Sequence, residues 1–246
     1  MLNQPPRQLF VTLALIGLAW LPLAGEATAA TGSGKLATET RALPDFQAIE
    51  LSGSMDLKVR QGSAQSVQVQ ADDNLLPLLE TVVEGSGAEA RLNVKWKRWQ
   101  SIQTRSKVVV TVVVPKLSAV ALKGSGDLQV DAFNTPALKL AISGAGDAEI
   151  KDLATEELVV SLSGSGNLAG QGKATKLKVS IAGSGDVRLS DLQSEEVRVS
   201  IAGSGEAAVH AQKSLDVSIA GSGDVSYVGN PTVKSSVAGS GSISKR

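Results

Sequence analysis

A four-residue turn, Gly-Ser-Gly-Asp or a close variant, recurs through the second half of the chain at nearly fixed spacing, and few folds accommodate such a repeat. Its copies start at Gly124, Gly144, Gly164, Gly183, Gly203, Gly221 and Gly239, separated by 20, 20, 19, 20, 18 and 18 residues. The fourth position holds Asp127, Asp147, Asn167, Asp186, Glu206, Asp224 and Ser242 in turn. Units of this length cannot bury a core alone and do so by stacking on their neighbours, which marks a solenoid.

Before each turn, apolar residues alternate with small or charged ones, as in Leu158, Val160 and Leu162, or Val197, Val199 and Ile201. Period two rich in branched residues reads as a half-buried strand. A second short alternation follows each turn, as in Val187 and Leu189. The pattern predicts coils of about 20 residues with two strands and two corners, stacked in parallel about 4.8 Å apart. Glycine allows positive φ at the tight corner, while Gln193-Ser194-Glu195-Glu196 marks a looser polar one. An antiparallel meander is the rival arrangement, but its hairpins favour two-residue Asn-Gly or Asp-Gly loops and give no reason for one motif at one period.

The outward positions of the first strand form two columns of small residues. One is Ala141, Ser161, Ser180, Ser200, Ser218 and Ser236; beside it run Ser143, Ser163, Ala182, Ala202, Ala220 and Ala238. This ribbon reads either as a solvated face near a crowded corner or as a place where another surface approaches closely.

At the other end of the chain, Arg7 precedes an apolar run from Leu9 to Ala24, followed by small residues to Ala30. That is the pattern of a secretory signal peptide, with cleavage expected after Ala29 or Ala30, and the run is short of the roughly 20 residues that span a bilayer. No stable membrane insertion is expected after cleavage. The chain is thus read as exported, periplasmic by default, with the cell surface as the other location. With no cysteine, no disulfide can brace it in an oxidising compartment. Lys plus Arg equals Asp plus Glu at 24 each, so no net field favours nucleic acid. The expected organisation is a signal peptide at 1–30, a flexible mature N-terminus at 31–44, a less regular β half capping the solenoid at 45–115, and regular repeats at 116–246.

Within the cap half, the run from Val108 to Val114 is the strongest apolar segment and predicts a fully buried strand. The order of Phe46-Gln47-Ala48-Ile49, Val59-Arg60-Gln61-Gly62, Val67-Gln68-Val69, Asp72-Asp73-Asn74-Leu75-Leu76, the Val110 to Pro115 strand and the string of Gly-Ser-Gly-Asp turns resembles the putative auto-transporter adhesin, head GIN domain family of bacterial envelopes. The resemblance spans Asp45 to about Ser242. It implies an all-β, right-handed parallel β-helix, similar in shape to pectin-lyase folds, with no established catalytic residues and with adhesion as an inferred role.

The column of turn residues is where chemistry could reside. Carboxylates about 4.8 Å apart repel by roughly 1 kcal/mol in water, so each is expected to accept backbone N–H groups of its own turn. Calcium is the alternative, with Asp127, Asp147, Asp186 and Asp224 as its candidate ligands; the period of about 20 differs from the nine-residue calcium repeat. Paired carboxylates could also hydrolyse a glycan, and Arg188 or Arg198 could serve a lyase. Few aromatics are present to stack on sugar, at 3% of residues. His210 is the only histidine, which removes His-based metal sites. Trp96 and Trp99, with Arg98 between them, form the one aromatic and basic cluster, read as cap packing or as a binding contact. The reading is a non-catalytic exported binding, adhesion or scaffold module with no cofactor. Its partner would be an envelope protein, a glycan or a second copy. A polysaccharide-active β-helix enzyme and a purely structural oligomer-forming module are the alternatives.

Overall fold

The computed structural model describes residues 28–98 and 100–246. The signal peptide expectation therefore falls almost wholly outside the described residues, and so does Trp99.

Alternating apolar residues build a stacked parallel solenoid. Its long coils run from one glycine corner to the next as β12 (Phe133–Gly144), β13 (Ala148–Gly164), β14 (Leu168–Gly183), β15 (Val187–Gly203) and β16 (Glu206–Gly221). The final coil is split into β17 (Asp224–Val228), β18 (Thr232–Gly239) and β19 (Ile243–Lys245). All of these pair in parallel at a register that places glycine on glycine, as in Gly144 on Gly164 and Gly164 on Gly183. Parallel stacking rules out the meander.

Each coil has three sides rather than two. Side A leads into the glycine corner, as Leu158, Val160 and Leu162 on β13; side B follows it, as Ala148 and Ile150; a short side C lies between, at Leu153 to Thr155. Side C was hidden in the sequence because it reads as a polar corner. One of its inward columns is small: Ala174 and Ser194 are buried, and Thr135 is buried with its hydroxyl donating to the Leu117 carbonyl at 2.9 Å. The other inward column of this side is large, with Phe133, Leu153 and Leu192 buried. Leucine, isoleucine and valine fill the other sides, with Leu138, Leu158, Val160, Val179 and Val187 at 0–2% exposure.

The first half does not simply precede the repeats along the axis. β3 (Ala48–Gly53) and β4 (Asp56–Gln61) form a regular coil seated directly on β10 (Ala119–Gly124) and β11 (Leu128–Val130). The intervening chain caps that coil's other face. On side A, β7 (Arg91–Trp96) pairs with β3, and β6 (Leu79–Glu84) lies antiparallel to β7. On side B, β9 (Val109–Val114) pairs with β4, β5 (Ser66–Asp72) lies antiparallel to β9, and β2 (Leu36–Arg41) lies antiparallel to β5. The reversal to antiparallel pairing ends the solenoid at this side. β1 (Thr28–Thr31) and β8 (Gln100–Gln103) form a separate pair.

Two expectations change here. Residues 31–44, read as flexible, contain β2, which spends its hydrogen bonds on β5 and so is part of the cap. The Val108 to Val114 run is buried on one face only: Val110, Val112 and Val114 are fully buried while Val109 and Val113 are half-buried, because neighbours flank β9 in the sheet but only one face meets the core. Among the described residues no helix is long and apolar enough to cross a membrane.

Candidate functional site

The glycine corner shows what the repeat must conserve physically. Its first glycine takes positive φ, from +126° at Gly164 to +138° at Gly183, a region L-residues with a side chain rarely adopt. Its third glycine is required by contact instead: a Cβ at Gly146 or Gly166 would fall on the backbone oxygen of Gly126 or Gly146 in the coil beneath. Successive corners are tied by backbone bonds, with the Ser165, Ser184 and Ser204 N–H groups donating to the Gly144, Gly164 and Gly183 carbonyls at 3.0, 3.0 and 2.9 Å.

An eighth corner stands at Gly53-Ser54-Met55-Asp56. Gly53 has φ of +129°, and the Ser125 N–H donates to its carbonyl at 3.2 Å. Met55 replaces the third glycine because β7 beneath runs only to Trp96 and brings no matching corner against it. Its side chain turns inward and is fully buried.

The fourth residues form a ladder that climbs from coil to coil. The Asp127 N–H donates to Asp56 Oδ1 at 3.1 Å, the Asp147 N–H to Asp127 Oδ1 at 3.3 Å, and the Asn167 N–H to Asp147 Oδ1 at 3.0 Å. Next, the Asp186 N–H donates to Asn167 Oδ1 at 3.3 Å. Each side chain thus serves the next coil rather than its own turn, which corrects the sequence expectation. A backbone N–H bonded to a carboxylate contributes about 1.5–3 kcal/mol, enough to offset the repulsion between coils. Asn167 also places a neutral link between Asp147 and Asp186.

The ladder is interrupted around Glu206: Asp186 turns its Oδ2 to Arg188, and the Asp224 N–H turns to the Gly205 carbonyl at 3.2 Å. It resumes between the last two corners, where the Ser242 hydroxyl and N–H donate to Asp224 Oδ1 at 2.6 and 2.8 Å. The hydroxyl first, and the N–H second, hold the Asp224 carboxyl below the usual carboxylate range. The calcium candidates Asp127, Asp147, Asp186 and Asp224 stand on separate coils rather than converging. Among the described residues no group of three or more His, Cys, Asp or Glu side chains is arranged to hold a metal ion.

Two grooves run along side B beside this ladder. One, of about 530 Å³, extends from Asp56 and Lys58 past Gln129 and Glu149; the other, of about 500 Å³, runs past Glu206 and Ser226 to Arg246. Arg188 lines both. It stands in the outward column between Ala169 and Ala208, whose short side chains leave its guanidinium clear, and it donates to Asp186 Oδ2 at 2.8 Å. Arg198 lies on side A with Asp216 at 3.3 Å. The ribbon of small residues on side A is present in the expected register but lines neither groove.

The aromatic cluster divides. Trp96 is half-buried, packs against the core and lies over Gly53, so it closes the open side of the eighth corner. Arg98 is exposed on the turn that follows. Asp56 is the contributor that site reasoning from sequence left out, with three matching positions in Gly53-Ser54-Met55-Asp56 as the available signal; Arg188, weighed from sequence only as a lyase candidate, stands where the two grooves meet.

This stack of glycine corners and its strand-rich cap match, over residues 45–231, the family described as "Putative auto-transporter adhesin, head GIN domain". The chain belongs to this family. The GIN domain fold recurs in solved structures. A "putative adhesin" from Bacteroides fragilis is 24% identical with a TM-score of 0.82, covering 88% of this chain and 100% of that one. A "putative lipid binding protein" from Parabacteroides distasonis is 27% identical with a TM-score of 0.72, covering 89% and 100%. A "putative adhesin" from the same species is 22% identical with a TM-score of 0.70, again covering 89% and 100%. No curated protein matches the chain.

Within this GIN domain the Asp72-Asp73-Asn74 run acts as a clasp. Asp72 is buried at 1% exposure and accepts the Thr104 and Ser106 hydroxyls at 2.6 and 2.7 Å. Asp73 accepts the Ser33 hydroxyl at 2.6 Å, the leading cause that lowers its carboxyl below the ordinary value. Asn74 accepts the Ser33 N–H at 2.9 Å and donates to the Thr31 carbonyl at 2.8 Å. The clasp ties the N-terminal segment and the loop before β9 to the cap.

Proposed function

We propose that this chain is an exported recognition module of the bacterial cell envelope, binding an extended hydroxyl-rich polymer, a glycan strand, along side B without turning it over. The observation that carries the reading is the place of Arg188, a partly free guanidinium where two grooves meet along the solenoid axis. A polymer laid parallel to the axis would meet similar chemistry at every coil, and small gains repeated along a chain add up to avidity. The adhesin names of the family and its neighbours support binding over turnover. So does the last corner: the Ser242 hydroxyl and N–H hold the Asp224 carboxyl below the usual range, which makes it a poor proton donor.

The lipid-binding name of one neighbour suggests another ligand. The interior here is filled by buried side chains along the core, so a lipid would have to lie on the outer surface. Export places the module in the periplasm by default, with the cell surface as the other location.

The experiment is retention of the mature protein on immobilised envelope glycans, with Arg188→Ala and, as a control on side A, Ser200→Ala. The reading expects at least about a tenfold loss of retention for Arg188→Ala, the size of one lost charged hydrogen bond, and no change for Ser200→Ala. Equal retention of wild type and Arg188→Ala would overturn the side B assignment.

A further inference from the structure

The two ends of the solenoid differ in charge and in how they are finished. Among the described residues, β18 pairs only with β16, and β6 pairs only with β7, so each presents a free strand edge on side A. Free edges are templates for pairing with another chain. On β18 the inward positions Val233 and Val237 continue the columns of Leu215 and Ile219, yet they are 38% and 42% exposed. The last coil, residues 224–246, carries Lys234, Lys245 and Arg246 against one acidic residue, Asp224, which Ser242 engages. The strand at the opposite end, β6, carries Glu80 and Glu84 and no basic residue.

We propose that a second copy of this chain docks head to tail, its β6 edge pairing antiparallel with β18 of the first. The side A columns fix the register without a lateral shift. Val83 pairs with Leu92, which pairs with Ile49, and the same column continues through Val120 to Val217 and Ser235. Ser235 therefore meets Val83 of the next copy. The same alignment sets Lys234 opposite Glu84, Val237 opposite Thr81, and Ser236 opposite Val82, which is itself 45% exposed. One acid–base pair and the cover of two exposed valines arise in a single register.

Charge excludes the symmetric alternatives. Two β18 ends brought together oppose Lys234, Lys245 and Arg246 to their own copies, and two β6 ends oppose Glu80 and Glu84. On side B the cap is one strand deeper, ending at β2 beyond β5, so the second copy tilts about the side A contact to clear β19; β2 carries Glu39 and Arg41 already paired at 3.1 Å and adds no strong charge preference of its own. A head-to-tail contact leaves one β18 edge and one β6 edge free and so propagates rather than closing. This docking is independent of the groove reading on side B.

The test is a charge swap read by sedimentation of the mature protein over a range of concentration. Lys234 and Glu84 are both exposed, and circular dichroism and melting should confirm that Lys234→Glu and Glu84→Lys fold as wild type. Wild type should form a series of species that extends past the dimer and shrinks as salt screens the contact. Each variant alone opposes like charges and should associate at least about tenfold more weakly. An equimolar mixture pairs Glu at 234 with Lys at 84 and should restore the series. A wild type that stays monomeric, a dimer that does not extend, or a mixture that behaves as the separate variants would overturn the proposal.

Discussion

Asn167 is bonded twice to Asp147 in the coil beneath it: its backbone N–H and its side-chain amide both donate to Asp147 Oδ1, at 3.0 and 2.9 Å. One oxygen thereby holds two coils together at the edge of the solenoid. The turn acid is a fastening between coils, and its place beside the side B grooves makes it the frame of the candidate site.

Removing the acceptor should loosen that junction. Asp147→Ala is expected to lower stability by about 1.5–3 kcal/mol, the scale of hydrogen bonding to a charged group. Asp147→Asn keeps a carbonyl oxygen at the same position and should lose less. Urea denaturation of both variants checks this; equal losses would mean that the acceptor oxygen is not what matters.

The third corner glycine should tolerate no side chain. Gly146→Ala sets a Cβ on the Gly126 carbonyl oxygen, and separating the coils to relieve it should cost about 1–3 kcal/mol or more. At Met55, which fills that position in the first corner, truncation should fail for the opposite reason. Met55→Ala opens a cavity in a fully buried site and should cost about 2–5 kcal/mol. Thermal melts of the pair would show two losses; a neutral Gly146→Ala would contradict the stacking account.

Part of the acid sensitivity should come from the last corner. Because Ser242 lowers the Asp224 value in the folded protein, the linked stability is complete above the unfolded carboxylate value and is lost as pH falls through the depressed one. Ser242→Ala removes the leading donor and leaves the N–H, so the Asp224 titration should move up toward the ordinary range. Carboxyl carbon NMR measures it; an unmoved Asp224 titration would contradict the assignment.

The clasp at Asp72 makes a separable prediction. Asp72→Ala strands the Thr104 and Ser106 hydroxyls and should cost about 3 kcal/mol if both charged hydrogen bonds are lost. It should also expose the bond after Arg105 to trypsin, which limited proteolysis would detect. Unchanged cleavage would show that the loop is held by other contacts.

Much of the architecture was legible because a solenoid writes its period into the chain: seven of the glycine corners and the inward columns of side A are where the spacing puts them. The eighth corner was obscured by Met55, which is permitted where no corner lies beneath. Side C was obscured by Ser194 and Thr135, polar residues that are buried, Thr135 with its hydroxyl satisfied by the Leu117 carbonyl. Axial order was not legible at all, since the chain lays down β3 and β4, builds the cap beneath them and only then returns to β10. The ladder residues could be named from sequence, but whether an aspartate serves its own turn or the next coil depends on the stacking geometry. Arg188 stood out in the chain only as a lyase candidate no different from Arg198, because its prominence comes from Ala169 and Ala208, which flank it in the neighbouring coils.

The most direct test of the central claim follows one preparation of mature protein through both halves of it, measuring retention on envelope glycans and release of product from the same glycans. The account predicts retention that weakens with Arg188→Ala, with no new reducing ends and no unsaturated uronate on prolonged incubation. Product that accumulates with time and protein concentration would contradict it and make the side B grooves an active site.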